Sequence, residues 1–404
     1  MDRRNFIGKT SLFASLNFLG WRTLKASSGI VSEDTGSDEI NIIYRTLGRT
    51  GIRVPVVSMG VMNATIPGLV VRSYEKGMRL FDTAWFYQNG MNEKMVGEMI
   101  EQLGAREEVT LVTKIFLKET QRDLSKPEIK DLFLQRFEES LGRLRTNYVD
   151  ILLYHASGDI QEHNNPYIME AITELKAAGK IRYSGVSYHG DSSPFLDDLV
   201  EKKFYDVALV IFNIALAEDT RLLSSLEKAA SEGIGIIAMK TQCGGGGNMW
   251  WRAHGDSRET LGQLNQTAML KWVLQHEFIT TAIPGYTTYD QLEENFSVVS
   301  DLAYTPEERS FLEKAQVKMA QSFCVQCGKC VPTCPKKVDI PNLMRTYIYA
   351  YQYQNMQHAV ATERTIHNKA GLDQCRECDQ CSVVCKRSLN VPQRIRALKE
   401  LNFA

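Results

Sequence analysis

The chain has 404 residues, 44% hydrophobic and 24% charged, with a formal net charge of −1. That length calls for two or three domains. The composition is that of a soluble globular protein, and the near-zero charge points neither to nucleic acid nor to an acidic membrane surface. No stretch approaches the roughly 20 apolar residues that a bilayer crossing needs.

At the N-terminus, Arg3-Arg4-Asn5-Phe6-Ile7-Gly8-Lys9 precedes an uncharged, mostly apolar run from Thr10 to Trp21. A charged segment before a short apolar one reads as an export signal. The paired arginines, with Phe6 two residues on, resemble the twin-arginine motif. Small residues follow at Ala26, Ser27 and Ser28. Residues 1–30 are therefore expected to be a signal and the protein periplasmic, with a cytoplasmic location as the alternative. The twin-arginine route carries folded, cofactor-loaded proteins. Residues 31–40, containing the polar run Val31–Glu39, read as a linker.

From residue 41 to 304 the chain alternates short β-rich runs with helical patterns. The predicted strands are Val54–Val61, Met78–Thr83, Val109–Ile115, Tyr148–His155, Ile181–Ser187, Val207–Asn213, Ile234–Lys240 and Thr280–Pro284. Between them lie amphipathic stretches: Asn92–Leu103, Lys126–Leu144, Tyr167–Ala178, Glu218–Ser231, Glu259–Gln275 and Thr288–Ser300. Within Tyr167–Ala178 the apolar positions Ile168, Ala171, Ile172 and Leu175 keep a three-four spacing. Strands alternating with helices argue for a parallel sheet, and eight such units over about 260 residues fit a TIM (β/α)8 barrel. A doubly wound open sheet is the second choice. It would be favoured by a Gly-x-Gly-x-x-Gly turn after the first strand, and none is present.

Residues 305–404 carry two copies of one cysteine pattern. The first is Cys324-x-x-Cys327-x-x-Cys330-x-x-x-Cys334-Pro335, the second Cys375-x-x-Cys378-x-x-Cys381-x-x-x-Cys385. Three thiolates set three apart on one tight loop can cap three irons of a cubane, and the spacing resembles the bacterial ferredoxin run for [4Fe–4S] clusters. In two-cluster ferredoxins the fourth cysteine ligates the other cluster. That resemblance implies Cys324, Cys327, Cys330 and Cys385 on one cluster, and Cys375, Cys378, Cys381 and Cys334 on the other. Zinc ribbons use paired Cys-x-x-Cys knuckles and need no third cysteine, and disulfides do not account for one register repeated. The runs bracket Ile340–Ile366, which is rich in Tyr, Gln and Met and expected to be helical. So small a unit has little core of its own, and its clusters must hold it together. Cys243 stands outside the pattern and reads as a small core or pocket residue.

Functional residues of a TIM barrel sit at the C-terminal ends of strands. Those ends supply Asp82 with Tyr87 five residues later, Lys114, and His155. Asp-Thr-Ala-x-x-Tyr, Val-Thr-Lys and Leu-Tyr-His in this order closely resemble the aldo-keto reductase family over about 260 residues, the length of a TIM barrel. The resemblance implies that Tyr87 is the general acid and that a nicotinamide delivers the hydride. Chemically, Lys114 can supply a charge beside the phenol, Asp82 can hold Lys114 protonated, and His155 can hydrogen-bond the carbonyl oxygen. For NAD(P)(H), the candidate binding residues are Ser187, Asn213, Lys240, Gly285, Glu294 and Asn295. The family's Ser-Asn pair becomes Ser187-Tyr188, its strand-six Gln aligns with Leu209, and two basic positions hold Gly285 and Gln291. Losing those cations weakens grip on a 2′-phosphate, so NADP preference is in doubt. Gly244–Gly247 could pass over a pyrophosphate, and Trp250 and Trp251 could wall a pocket. The expected substrate is a small carbonyl or sugar-like molecule, with a possible electron-transfer partner for the clusters. A second reading stays open: an electron-transfer iron–sulfur protein that uses a drifted barrel as a docking scaffold.

Overall fold

In a computed structural model, residues 40–117, 121, 124–156, 161–243, 264–367, 369–378, 380–401 and 403 are described. The export signal, the linker Val31–Glu39, Gly244–Gly247, Trp250 and Trp251 lie outside them. Asn41–Ala404 is one compact unit.

The unit opens with an antiparallel hairpin, β1 (Tyr44–Thr46) and β2 (Arg53–Pro55). Then come β3 (Met59–Gly60), β4 (Leu80–Asp82), β5 (Thr110–Ile115), β6 (Val149–Ala156), β7 (Ile181–Tyr188), β8 (Val207–Ile211), β9 (Gly235–Met239) and β10 (Thr281–Ala282). These eight strands pair in parallel in chain order. Parallel bridges Val57↔Ala282 and Gly60↔Gly285 join the last strand to the first. The sheet is therefore closed into the expected TIM barrel, and the open-sheet alternative is set aside. Strands covered on both faces are apolar throughout, and every residue of β6 is buried. The predicted run Val54–Val61 is split. Its first part pairs with β1, where Pro55 has no N–H to donate, and only Met59–Gly60 enters the barrel as a strand.

Close approach between strands demands glycine at one point in particular. A Cβ on Gly185 of β7 would lie 2.2 Å from the carbonyl oxygen of Val207 in β8. Gly185→Ala is thus expected to cost about 1–3 kcal/mol by overpacking. Urea unfolding followed by circular dichroism measures this, and an unchanged midpoint would contradict it.

A helix follows every barrel strand. Lys126–Leu144 has the predicted bounds, set by a capping box between Ser125 and Glu128 and by left-handed Arg145 at its end. Two helices, Pro67–Glu75 and Ser192–Lys202, lie outside the amphipathic stretches named from the sequence. The second carries Ser, Pro and Asp residues of low helix propensity, and is held by an Asp191 cap and by buried Phe195, Leu196 and Leu199.

Beyond the barrel, helix Pro306–Ser322 leads to the cysteine loops, and shorter helices follow at Ile340–Tyr347, Met356–Glu363, Leu372–Arg376 and Val391–Glu400. The expected helical segment 340–366 continues through a π-helical turn, Ile348–Gln352, then breaks, with Gln354 at φ +53°. Its N-terminal half joins a small core of its own, with Val338, Ile340, Leu343, Met344 and Tyr347. Its C-terminal half enters the barrel core through Ile348, Tyr349, Ala350 and Ala359. The tail thus has more core than its size promised, and one helix belongs to both cores. Arg387 adds further ties, donating to the Ala215 carbonyl at 2.7 Å and pairing with Asp219 at 3.3 Å.

Candidate active site and cluster cavities

Asp82, Tyr87, Lys114 and His155 converge at the carboxyl ends of β4, β5 and β6, all buried. Lys114 Nζ donates to Asp82 Oδ2 at 2.6 Å and to the Thr83 carbonyl at 2.7 Å, and lies 3.4 Å from Tyr87 Oη. Burial pushes the Asp82 carboxyl up and the Lys114 ammonium down, each toward neutrality, and their mutual contact opposes both shifts. The 2.6 Å charge-assisted bond between them favours the ionised pair. Tyr87 is raised well above the ordinary phenol range, first by burial, then by Asp82 and Tyr349, while Arg345 pulls the other way. The charge that Lys114 supplies beside the phenol does not outweigh this desolvation. Tyr87 holds its proton.

Sequence reasoning missed part of this site. Arg345 and Tyr349, from the helix shared by both cores, and His358, from the next helix, line a small cavity with Tyr87, His155 and His189. The His358 ring lies 4.3 Å from that of Tyr349 and 5.5 Å from that of Tyr87. His189 stands just past β7, where a functional residue was to be sought. The spacing of Arg345 and Tyr349 marks one helix face, but nothing in the sequence says that this face meets the barrel.

Burial drives His155 and His189 well below the ordinary imidazole range, and His358 down to about 3. Below about pH 6.5 the unfolded chain takes up these protons and the folded one does not, so stability rises with pH in this window. It is complete above about pH 6.5 and falls as pH drops toward 3. Three such groups give a slope of up to about 4 kcal/mol per pH unit. Denaturant unfolding of the holoprotein between pH 7 and 5 checks this, and a flat profile would contradict it.

A larger cleft of about 210 Å³ opens on the other side of Tyr87 and His189. Asp82, Leu209, Lys240, Thr241, Gln242, Gly285 and Gln291 lie along it. Of the cofactor candidates, Gly285 and Lys240 line it directly, and Lys240 donates to Tyr349 Oη at 3.1 Å. Asn295 reaches it through Gln242, which donates to it at 2.7 Å. Ser187 is wholly buried with its hydroxyl unpartnered. Asn213 does not line the cleft: it accepts from Ala215 N and donates to the Lys240 carbonyl, which makes it a backbone clamp. Glu294 is exposed. Cys243 is buried in the barrel core.

The cysteines surround two further cavities. One is lined by Cys324, Cys327, Cys330 and Cys385, the other by Cys334, Cys375, Cys378 and Cys381. This is the crossed set, with each fourth cysteine in the other group. Ile340 lies against both cavities, and Met344 against the first. Among the described residues no three His, Cys, Asp or Glu draw together around a single ion. Burial pushes the Cys324 thiol up to about 12.

Residues 64–247 match the aldo/keto reductase family and residues 323–390 the 4Fe-4S dicluster domain. The chain is 26% identical over 292 residues to L-galactose dehydrogenase of Arabidopsis thaliana, covering 65% of this chain and 89% of that one. It is also 26% identical over 299 residues to an uncharacterized oxidoreductase of Bacillus subtilis, covering 63% and 90%. Among solved structures, the holo form of an aldo-keto reductase from Bacillus halodurans matches with TM-score 0.53 at 23% identity, over 68% of this chain and 96% of that one. An aldo-keto reductase from Klebsiella pneumoniae in complex with NADPH matches with TM-score 0.50 at 22% identity, over 68% and 96%. At these identities the structural matches speak for the fold alone. The chain carries an aldo/keto reductase domain followed by a 4Fe-4S dicluster domain, and it is an oxidoreductase.

Proposed function

We propose that this oxidoreductase transfers a hydride between a nicotinamide cofactor and a small carbonyl or alcohol substrate. The observation that carries the reading is the buried chain Asp82–Lys114–Tyr87 at the barrel mouth, with 2.6 and 3.4 Å between its atoms. The cleft suits a nicotinamide. Thr241 and Gln352, both buried, line it and leave the Thr241 hydroxyl and both ends of the Gln352 amide without partners. Unpaired polar atoms are costly unless a ligand completes them. Lys240, Gly285 and Gln242 would hold the cofactor, which supplies the hydride when bound. Tyr87 gives its proton to the nascent alkoxide. Lys114, kept charged by Asp82, replaces it electrostatically. His155, neutral, offers an N–H to the carbonyl oxygen and excludes a competing acid. With Gly285 and Gln291 in the two altered positions, no cation meets a 2′-phosphate there, which favours NAD(H).

The crossed cysteine sets fit two [4Fe–4S] clusters. These brace the segment that delivers Arg345, Tyr349 and His358, and offer a route for single electrons to a partner. Export through Arg3-Arg4 would place the enzyme in the periplasm with its cofactor already bound. The purified holoprotein tests the reading. Mass spectrometry of released small molecules should find a nicotinamide, or NADH should bind with quenched or shifted fluorescence. Neither signal, with NADH or NADPH, would overturn it. Fractionation tests export: Arg3→Lys with Arg4→Lys should retain the protein in the cytoplasm.

A further inference from the structure

The small cavity beside Tyr87 contains one permanently charged side chain, and it has no counter-ion. Arg345 is 5% exposed. It lines this cavity with His155, His189 and His358. Among the described residues no carboxylate pairs with its guanidinium, and its Nε is buried without an acceptor. Buried arginines are ordinarily paired, and truncating one partner of such a pair is strongly destabilising. An unpaired one beside a reacting group would be stabilised by an anionic ligand. The neighbouring imidazoles cannot supply negative charge, and burial keeps them neutral. The cavity is small, about 30 Å³, and apolar on the side of Phe86 and Phe116. It therefore suits a compact planar anion better than a bulky one.

We propose that Arg345 binds a carboxylate of the substrate, so that the enzyme acts on carbonyl acids, such as 2-oxo acids or uronic acids, or on the corresponding hydroxy acids. The guanidinium fork takes a carboxylate through paired N–H···O bonds. This orients the carbonyl oxygen toward Tyr87 and His155. The proposal rests on the hydride-transfer reading of the Tyr87 side. It adds a residue that the barrel does not own, since Arg345 comes from the cluster-bearing tail.

The test compares substrates that differ only in charge: pyruvate with methyl pyruvate, and glucuronate with glucose. In the holoprotein, the acid of at least one pair should be preferred by about 10- to 100-fold in kcat/KM, the range of a charge-assisted bond. Arg345→Met should erase the preference by costing the acid about 10-fold or more beyond whatever it costs the neutral partner, and Arg345→Lys should keep part of it. Intact cluster absorbance shows that each variant is folded. Thermal shift with oxamate reads binding without turnover: wild type should gain stability and Arg345→Met should not. No acid preference and no oxamate shift in wild type would overturn the proposal, as would equal losses on acid and neutral substrates in a folded Arg345→Met. Were no carbonyl reduced at all, the hydride-transfer reading would fall. An oxamate shift that depends on Arg345 would still uphold the anion site.

Discussion

Tyr87→Phe should lower kcat for carbonyl reduction by about 10²- to 10⁴-fold, the contribution of a positioned general acid, and leave cofactor affinity unchanged. The substitution is clean for a structural reason. The phenyl ring keeps its packing against Phe86 at 5.1 Å and His358 at 5.5 Å. Lys114 keeps its bonds to Asp82 and Thr83, at 2.6 and 2.7 Å. Only a hydroxyl that burial holds protonated is lost. Lys114→Met would be a poorer probe, because it leaves the Asp82 carboxylate buried and unpaired, at about 3–5 kcal/mol. Steady-state rates with Tyr87→Phe retaining full activity would exclude the acid role.

Losing a cluster should damage the barrel's chemistry although no cysteine lines either cavity beside Tyr87. Cys385→Ser removes the crossed ligand from the cavity that Met344 also lines. Arg345 follows Met344 on the same helix, and Tyr349 stands four residues further. The same loop carries Arg387, whose bonds to Ala215 and Asp219 tie it to the barrel. Binding energy at a structural metal site is folding energy, on the order of 10 kcal/mol, so the segment should loosen. A misplacement of about 1 Å is enough to cost 10²-fold in rate. The full-length variant should therefore lose about 10²-fold in kcat/KM while far-UV circular dichroism still shows the barrel. Unchanged kinetics in cluster-depleted protein would mean that the helix holds its place without iron.

The features legible in sequence were those set by local periodicity and local chemistry. Eight strands and the cysteine register follow from patterns that need only a few neighbours. Asp82, Lys114 and His155, with Tyr87 close behind, are legible because a strand end is a fixed position in a barrel. What escaped was tertiary. Ser192–Lys202 has residues of poor propensity and is a helix through what it packs against. Nothing local marks Arg345 or His358, because their meaning lies in a cavity shared with Tyr87 across more than two hundred residues of chain. Desolvation of Tyr87 is likewise a property of the assembled cavity, and it overrode the charge argument drawn from Lys114 alone.

The most direct measurement is a single turnover. Holoprotein loaded with reduced nicotinamide is mixed with a carbonyl substrate, and nicotinamide and cluster absorbance are followed together. One equivalent of nicotinamide should be oxidised in wild type, the clusters should keep their oxidised spectrum, and Tyr87→Phe should be slower by orders of magnitude. Nicotinamide that stays reduced in wild type, or that is oxidised equally fast without the Tyr87 hydroxyl, would contradict hydride transfer at this site.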